Sequence, residues 1–187
     1  MKSIKEKQRE WKRQEIINAV MDIALKEGVL ELSVEEIAKK SGFAKSSIYY
    51  YFKSKDEIFK EILINGWKKM LSKIKSIKID PNKPYESLVE VIKTHLDFTQ
   101  EEKKLFQFLA RFTKALKNKE IEKYLKQESE IYLSLIEKCI EKGILKGDIK
   151  FIYNSLAGSV KQIAQNEDLT FQEKLKYILK NLEEFKQ

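Results

Sequence analysis

The sequence is poor in the residues that support covalent or metal-based chemistry. Its 187 residues include one cysteine, Cys139, and one histidine, His95. A single chain therefore cannot form an internal disulfide, and it offers no cluster of soft metal ligands. No nucleophile paired with a base is visible, and there is no glycine-rich phosphate loop. We therefore expect no metal, no cofactor and no enzymatic activity.

Long apolar runs are also missing, and helix-breaking residues are scarce. No stretch approaches the roughly 20 apolar residues of a membrane span, and the lysine-rich N-terminus lacks the apolar core of a signal peptide. These absences predict a soluble cytoplasmic protein without membrane contact. Only two prolines and six glycines occur, and apolar residues recur mostly at intervals of three and four, which predicts an all-α fold.

The first 75 residues carry the start and stop signals of four helices. Patterns typical of capping boxes begin at Ser33 and Ser54, each followed three residues later by glutamate, while Gly28 and Gly42 act as stops. We predict helices over 7–26, 34–41, 44–51 and 55–75. The first helix should bury a stripe made of Ile16, Val20, Ile23 and Ala24, with Trp11 as its extension.

The remaining residues predict five further helices and a seam along the last one. Two prolines in the segment 78–84 disfavour helix there, and we predict helices over 84–100, 103–116, 119–142, 148–166 and 171–185. The last helix has apolar residues at a strict 4,3,4,3 spacing: Phe171, Leu175, Ile178, Leu182 and Phe185. This seam either packs against a second copy, which we favour, or covers the core of its own domain.

The segment 37–55 has the composition of a surface that binds nucleic acid. It holds five lysines, three tyrosines and no acidic residue, within a net charge of +8 for the chain. Two short helices joined by a glycine turn also match the helix-turn-helix arrangement. A solvated lysine face over core tyrosines is the alternative, but the caps, the turn and the motif together favour DNA binding.

Helical geometry assigns roles within the second helix of this motif. At 100° per residue, Ala44, Ile48 and Tyr51 should pack, whereas Lys45, Ser46, Tyr49 and Tyr50 occupy another face. Lys45 and Ser46 lie in the first turn, which reads base edges when such a helix enters the major groove. Tyr49 should position the helix, and the helix starts at Ser33 and Lys55 suit phosphate contacts.

Residues 37–55 read Ile-Ala-Lys-Lys-Ser-Gly-Phe-Ala-Lys-Ser-Ser-Ile-Tyr-Tyr-Tyr-Phe-Lys-Ser-Lys. This segment resembles the N-terminal signature of the TetR (tetracycline-repressor) family, and the resemblance covers about residues 10 to 60. The family often has serine at the position of Ala44 and glycine at that of Ser46, which alters the expected specificity but not the class. The resemblance implies DNA contacts at Ser33, Lys45, Ser46, Ser47, Tyr49, Tyr50 and Lys55.

The resemblance also implies a C-terminal regulatory domain that binds a small inducer and dimerises through the helices at 148–166 and 171–185. We therefore divide the chain into a DNA-binding domain, 1–54, with its motif at about 33–52, and a ligand-binding and dimerisation domain, 55–187. The helix 55–75 would connect them. Six aromatic residues are candidates for the effector pocket, although core packing would also explain each one: Trp67, Phe106, Phe108, Phe112, Tyr124 and Tyr132.

The resulting hypothesis is a transcriptional regulator, most simply a repressor. A homodimer would present two recognition helices to a pseudo-palindromic operator in double-stranded DNA, and a small-molecule effector would release it. The alternative is a helical ligand carrier or protein-interaction module without specific DNA binding. Phosphate contacts make DNA affinity fall steeply with salt, so a salt-insensitive response to DNA would favour that alternative.

Overall fold

The computed structural model describes residues 3–28, 32–116 and 118–187. The predicted domain 1–54 therefore includes residues 1, 2 and 29–31, which lie outside the described residues, and residue 117 lies outside them too. Within the described part, the regular elements are helices, which confirms the all-α prediction. They are α1 (Ile4–Glu27), α2 (Val34–Ser41), α3 (Lys45–Tyr51), α4 (Lys55–Lys75), α5 (Pro84–Glu101), α6 (Lys103–Phe112), α7 (Lys119–Glu141), α8 (Ile149–Ala164) and α9 (Phe171–Glu183).

Capping explains most of the helix starts. At α2, the Ser33 hydroxyl accepts the Glu36 amide at 3.1 Å, and the Glu36 carboxylate accepts the Ser33 amide at 2.7 Å. A similar box at Ser3 starts α1 earlier than predicted. At α4 only the serine half forms, since the Glu57 carboxylate accepts the Lys53 amide at 2.6 Å instead. The sequence predicted α6 to residue 116, but it ends at Phe112.

The N-terminal part of α1 extends beyond its neighbours. The predicted stripe is buried, with Ile16, Val20 and Ala24 fully covered. Trp11, however, is 62% exposed, so the prediction that it extends the stripe is wrong. Residues 3–11 are all exposed, so the other helices do not cover this part of α1.

Helix α6 touches both α4 and α1. Its Leu109 side chain lies so close to Gly66 that a Cβ there would come within 2.8 Å of Leu109 Cδ2. On the side of α1, Lys104 pairs with Asp22 at 2.7 Å, and Arg111 Nη1 donates to the Leu25 carbonyl at 2.7 Å. Helix α6 is therefore a direct contact between the N-terminal helices and the C-terminal bundle.

The seam of the last helix is buried within the chain itself. Leu175, Ile178 and Leu182 are covered by the chain's own helices, mainly α8 and α5. Four residues of α8 are buried as well: Ile152, Leu156, Ser159 and Ile163. Our preference for a seam against a second copy was wrong, because periodicity shows that a face is covered but not what covers it.

The opposite faces of α8 and α9 are open. Phe151 is 65% exposed and Tyr177 is 43% exposed, and the small residues Ala157 and Gly158 are exposed too. A Cβ on Gly158 would meet nothing within 4 Å. In the described part of the chain, none of the helices has the length and apolarity needed to cross a membrane.

Candidate nucleic-acid interface and ligand cavity

Helices α2 and α3 form a helix-turn-helix with its second helix exposed. Gly42 ends α2 with φ of 73°, a left-handed conformation that glycine adopts without strain. Ile48 is fully buried and anchors α3, and Phe52 follows it into the core. On the other side, Tyr49 and Tyr50 are 46% and 68% exposed. One face of α3 therefore packs, and the other is open to a partner.

The candidate DNA contacts differ in exposure. Lys45, Ser46, Tyr49 and Tyr50 are exposed, whereas Ser33, Ser47 and Lys55 are half-buried. Ser33 uses its oxygen as the cap of α2, which leaves its hydroxyl hydrogen to donate to a phosphate. All seven lie on or beside the helix-turn-helix.

Of the residues assigned to the packed face, Ala44 is exposed, and Tyr51 packs against the core but is only partly covered. Ala44 is exposed because it is the N-cap of α3, with φ of −61° and ψ of 136°, so the helical wheel does not apply to it. Tyr51 is half-buried, and its ring meets that of Tyr50 edge-on at 4.9 Å between centroids.

An ion pair joins the recognition helix to α2. Lys45 Nζ contacts Glu35 Oε1, and both side chains remain about half exposed. The hydrogen bond from Lys45 lowers the pKa of Glu35, and the same bond raises the pKa of Lys45. This partner was not predicted, because Glu35 stands just outside the lysine-rich segment 37–55.

Arg13 fixes α1, α3 and α4 to one another. Its guanidinium makes a two-pronged hydrogen bond to the Glu61 carboxylate, with Nε to Oε1 at 2.9 Å, and also donates to the Tyr51 carbonyl. The same group lies 4.1 Å from the Phe52 ring centroid. The hydrogen bond to Glu61 raises the pKa of Arg13. Arg13 thus holds the C-terminal end of the recognition helix against the core.

Helices α4 to α8 enclose a cavity of about 270 Å³. Trp67, Phe106 and Tyr132, three of the six aromatic candidates, line it. The Trp67 indole donates to Thr113 Oγ1 at 2.9 Å, which fixes the ring in the wall. Phe108, Phe112 and Tyr124 are not among the lining residues. Phe108 is fully buried and packs against Phe59 and Phe112, with ring centroids 5.9 and 4.7 Å away.

A cluster of polar side chains lies within the same wall. The Tyr132 hydroxyl is 3.3 Å from His95 Nδ1, and the Tyr153 hydroxyl donates to Glu128 Oε2 at 3.4 Å. His95 Nδ1 is 3.8 Å from Glu128 Oε1. Burial lowers the pKa of His95 to about 4 and raises the pKa of Glu128 to about 7, so no ion pair forms between them at neutral pH.

Sequence reasoning missed Glu128 and Tyr153 and gave His95 no role. The only signal available was that all three lie on helices, and their juxtaposition depends on the packing of α5, α7 and α8. Among the described residues, no group of three or more histidine, cysteine, aspartate or glutamate side chains could hold a metal ion. The cavity is therefore suited to an organic molecule, with aromatic walls and a few convergent polar groups.

A short helix pair with a glycine turn and an exposed polar second helix defines the helix-turn-helix class of DNA-binding domains. Residues 16–62 match the family model described as bacterial regulatory proteins, tetR family. This segment covers α2, α3, the second half of α1 and the start of α4. Residues 16–62 therefore form a DNA-binding domain of the TetR family type.

Known proteins resemble the chain beyond this domain. An uncharacterized HTH-type transcriptional regulator of Bacillus subtilis strain 168 is 25% identical over 77% of this chain and 71% of its own length. The fatty acid metabolism regulator protein of the same organism is 24% identical over 77% of this chain and 74% of its own. A solved ketosteroid transcriptional regulator of Mycobacterium tuberculosis has a TM-score of 0.80 over 94% of this chain and 95% of that chain, at 17% identity, which shows a shared fold.

Proposed function

We propose that this protein is a repressor that binds a pseudo-palindromic operator as a homodimer and leaves it when a small-molecule effector binds. The observation that carries this proposal is the asymmetry of α3, with Ile48 buried and Lys45, Ser46, Tyr49 and Tyr50 exposed. A helix anchored in this way can enter a major groove without losing its contact with the core. A DNA partner also implies a cytoplasmic location.

The proposed division of labour follows the helices. The domain 1–54 would bind DNA, and the domain 55–187 would bind the effector and a second copy, with α4 as the connector. The open faces of α8 and α9 support dimerisation, because Phe151 and Tyr177 offer apolar area and Ala157 and Gly158 allow close helix approach. Two recognition helices would then meet successive major grooves about 34 Å apart.

Helix α6 supports the coupling between effector and DNA. Its Phe106, Leu109 and Ala110 line the cavity, while Lys104 and Arg111 contact α1. A ligand that displaces α6 would therefore act directly on the helix that supports the recognition helix. The effector must bind the released form more tightly, by about 2.7 kcal/mol for a 100-fold loss of DNA affinity.

The relatives' names bear on the kind of effector. One relative is a fatty acid metabolism regulator, and one solved neighbour is a ketosteroid transcriptional regulator. Both names favour an effector with a hydrophobic body, which suits the aromatic and aliphatic walls of the cavity.

A mobility-shift titration with the promoter DNA of the protein's own gene tests the proposal. We expect a complex with two chains per site that survives random competitor DNA, and an affinity that falls at least ~100-fold between 50 and 200 mM salt. DNA binding that is independent of salt, or that random competitor removes completely, would favour the helical carrier or interaction module instead.

A further inference from the structure

The cavity between α4 and α8 has an unusual balance of charge. Its walls are mainly aromatic and aliphatic, and the one acidic side chain that lines it, Glu128, is only 6% exposed. The two lysines among its lining residues, Lys114 and Lys161, are both exposed. Among the described residues that line the cavity, the covered ones therefore include an acid but no lysine or arginine.

Glu128 is poorly satisfied where it lies. A carboxylate can accept about four hydrogen bonds, yet Glu128 receives one long bond of 3.4 Å, from the Tyr153 hydroxyl. The nearest ring nitrogen, His95 Nδ1 at 3.8 Å, belongs to a histidine that is neutral at pH 7. A buried charge is costly unless it is paired and hydrogen-bonded. A positive group in the cavity would provide what the protein itself does not.

The surrounding rings are also suited to a positive charge. The ring centroids of His95 and Phe106 lie 6.3 Å apart, and those of Tyr132 and Tyr153 lie 6.0 Å apart. Aromatic faces attract cations through their quadrupole, and they do so most strongly where water is excluded. The carboxylate and the rings therefore favour the same sign of ligand charge.

The exposed lysines do not reverse this preference. Lys114 and Lys161 are solvated, so they need no ligand to satisfy them, and their attraction for an anion is weakened by water and salt. An anionic head inside the cavity would face Glu128 and would have no buried donor of opposite charge. The preferred charge of the ligand therefore depends on the buried Glu128 rather than on the two exposed lysines.

We propose that the cavity takes a hydrophobic organic monocation, with its charged head beside Glu128 and its body against Trp67, Phe106 and the neighbouring apolar walls. This inference rests on the proposed effector-regulated function and names the chemical class of the effector. It assigns Glu128 as the counter-ion in the ligand site and the tyrosine rings as the walls around the head.

Binding of a cation at this site is consequently coupled to the release of a proton from Glu128. Burial holds the pKa of Glu128 at about 7, and a bound cation lowers it, so binding releases a proton. The other groups that face Glu128 keep their charge between pH 6 and 8. His95 on α5 is neutral because its pKa is about 4, and burial raises the pKa of Tyr132 on α7 and of Tyr153 on α8. The exposed Lys114 and Lys161 are the charged groups contributed by the end of α6 and by α8, and α4 contributes only Trp67 and Met70, which do not titrate.

Isothermal titration calorimetry on the full-length protein tests the proposal with three ligands that share one chain and differ in head group. They are octyltrimethylammonium, a permanent cation, neutral 1-octanol, and anionic octanoate. We expect the ammonium to bind most tightly, with an affinity that rises about tenfold from pH 6 to pH 8 as Glu128 ionises. Titrations at pH 7 in buffers of different ionisation enthalpy should show about 0.5 proton released per ligand.

Two variants separate the counter-ion role from a structural one. Glu128→Gln should abolish the proton release and the pH dependence, and it should weaken the ammonium while leaving 1-octanol unchanged. Tyr153→Phe removes the hydrogen bond that lowers the pKa of Glu128, so the midpoint of the pH profile should move upward. Glu137→Gln, the same exchange at an exposed position of α7, should behave as the wild type.

The proposal is overturned if octanoate binds more tightly than the ammonium, or if ammonium binding ignores both pH and Glu128→Gln. A mobility-shift assay with the same ligands keeps this result separate from the proposed function. Ammonium binding without DNA release would uphold the ligand class and contradict the effector role. DNA release by octanoate or 1-octanol, without ammonium binding, would uphold the effector role and contradict the ligand class.

Discussion

The helix-turn-helix surface and the cavity each place a glutamate beside a basic side chain, with opposite results. On the surface, the pKa of Glu35 is lowered and that of Lys45 is raised, so both stay charged. In the cavity, burial raises the pKa of Glu128 and lowers that of His95, so both are driven toward the neutral form. Burial penalises the charged forms, which explains why the pair in the cavity is not ionic.

The difference matches the two tasks that we propose. Exposed charges exchange partners at little cost, so Lys45 can leave Glu35 for a base edge or a phosphate. A buried carboxylate is costly to ionise without a partner, so it favours a ligand that brings a positive charge. Four substitutions test this comparison, from the largest expected effect to the smallest.

The largest effect is expected at Arg13. This residue belongs to the N-terminal helices, but its ion pair with Glu61 is mostly covered, unlike the exposed pair of Lys45 and Glu35. Its side chain and that of Glu61 are 29% and 24% exposed. Arg13→Ala removes the three hydrogen bonds that join α1 to α3 and α4. We expect the free energy of unfolding to fall by about 3 kcal/mol in urea denaturation.

Two further variants make the effect of Arg13 specific. Arg13→Lys keeps the charge but loses the fork geometry, so it should fall between the alanine variant and the wild type. Lys7→Ala, at an exposed position of the same helix, should change the free energy of unfolding by less than about 0.5 kcal/mol. If Arg13→Ala matched Lys7→Ala, the clamp would contribute nothing to stability.

Glu128→Gln tests whether burial raises the pKa of the glutamate in the cavity. The folded pKa of Glu128, about 7, lies above its ordinary value of 4.5, so the folded state binds more protons between these values. Its ionisation therefore lowers the stability of the wild type as pH rises through this window. Relative to the wild type, the glutamine variant should gain about 2 kcal/mol in free energy of unfolding from about pH 5 to about pH 8.

The measured quantity is the difference in free energy of unfolding between the wild type and Glu128→Gln, because the titration of His95 affects stability in the opposite sense to that of Glu128. The folded pKa of His95, about 4, lies below its ordinary value of 6.5, so its contribution to stability is lost as pH falls through that range. This contribution is common to both proteins and cancels in the difference. Glu137→Gln, at an exposed position of α7, is the matched control. A difference for Glu128→Gln that does not vary with pH would contradict the raised pKa.

The sequence predicted the helix-turn-helix more completely than the cavity, for a physical reason. The recognition surface lies within about twenty consecutive residues, so caps, a glycine turn and helical periodicity suffice to place Lys45 and Tyr49. The ion pair with Glu35 was the exception, because a helix-to-helix contact is not a property of one segment. Arg13 was missed for the same reason, since its partner Glu61 lies 48 positions away.

The cavity depends entirely on such distant contacts. Five helices contribute to it, and no local pattern links His95 to Tyr132 and Glu128. Aromatic residues on one helix illustrate the problem: Phe106 lines the cavity while Phe108 is buried in the core. Both were candidates for the effector pocket, with core packing as the alternative, but only packing decides whether a covered face meets a neighbour, a second copy or a ligand.

Lys45→Ala tests the proposed role of the exposed ion pair in DNA recognition. We expect operator affinity to fall on the order of tenfold, and the preference at one base pair in each half-site to relax, if Lys45 donates to a base edge. Binding to a panel of single-base operator variants measures both effects. Lys123→Ala, an exposed lysine on α7, is the control for loss of one positive charge. A uniform loss across all variants would assign Lys45 to a phosphate instead.

Glu35→Gln should have the smallest effect and the opposite sign. Without the carboxylate, Lys45 no longer exchanges one partner for another on binding, so affinity for DNA should rise about threefold at low salt. The gain should be similar for operator and random DNA, which leaves the specificity ratio unchanged. In a double-mutant cycle, the gain should shrink once Lys45 is alanine, because its cause is the ion pair. An undiminished gain in that background would mean that Glu35 repels the DNA backbone directly, and that the exposed pair has no part in recognition.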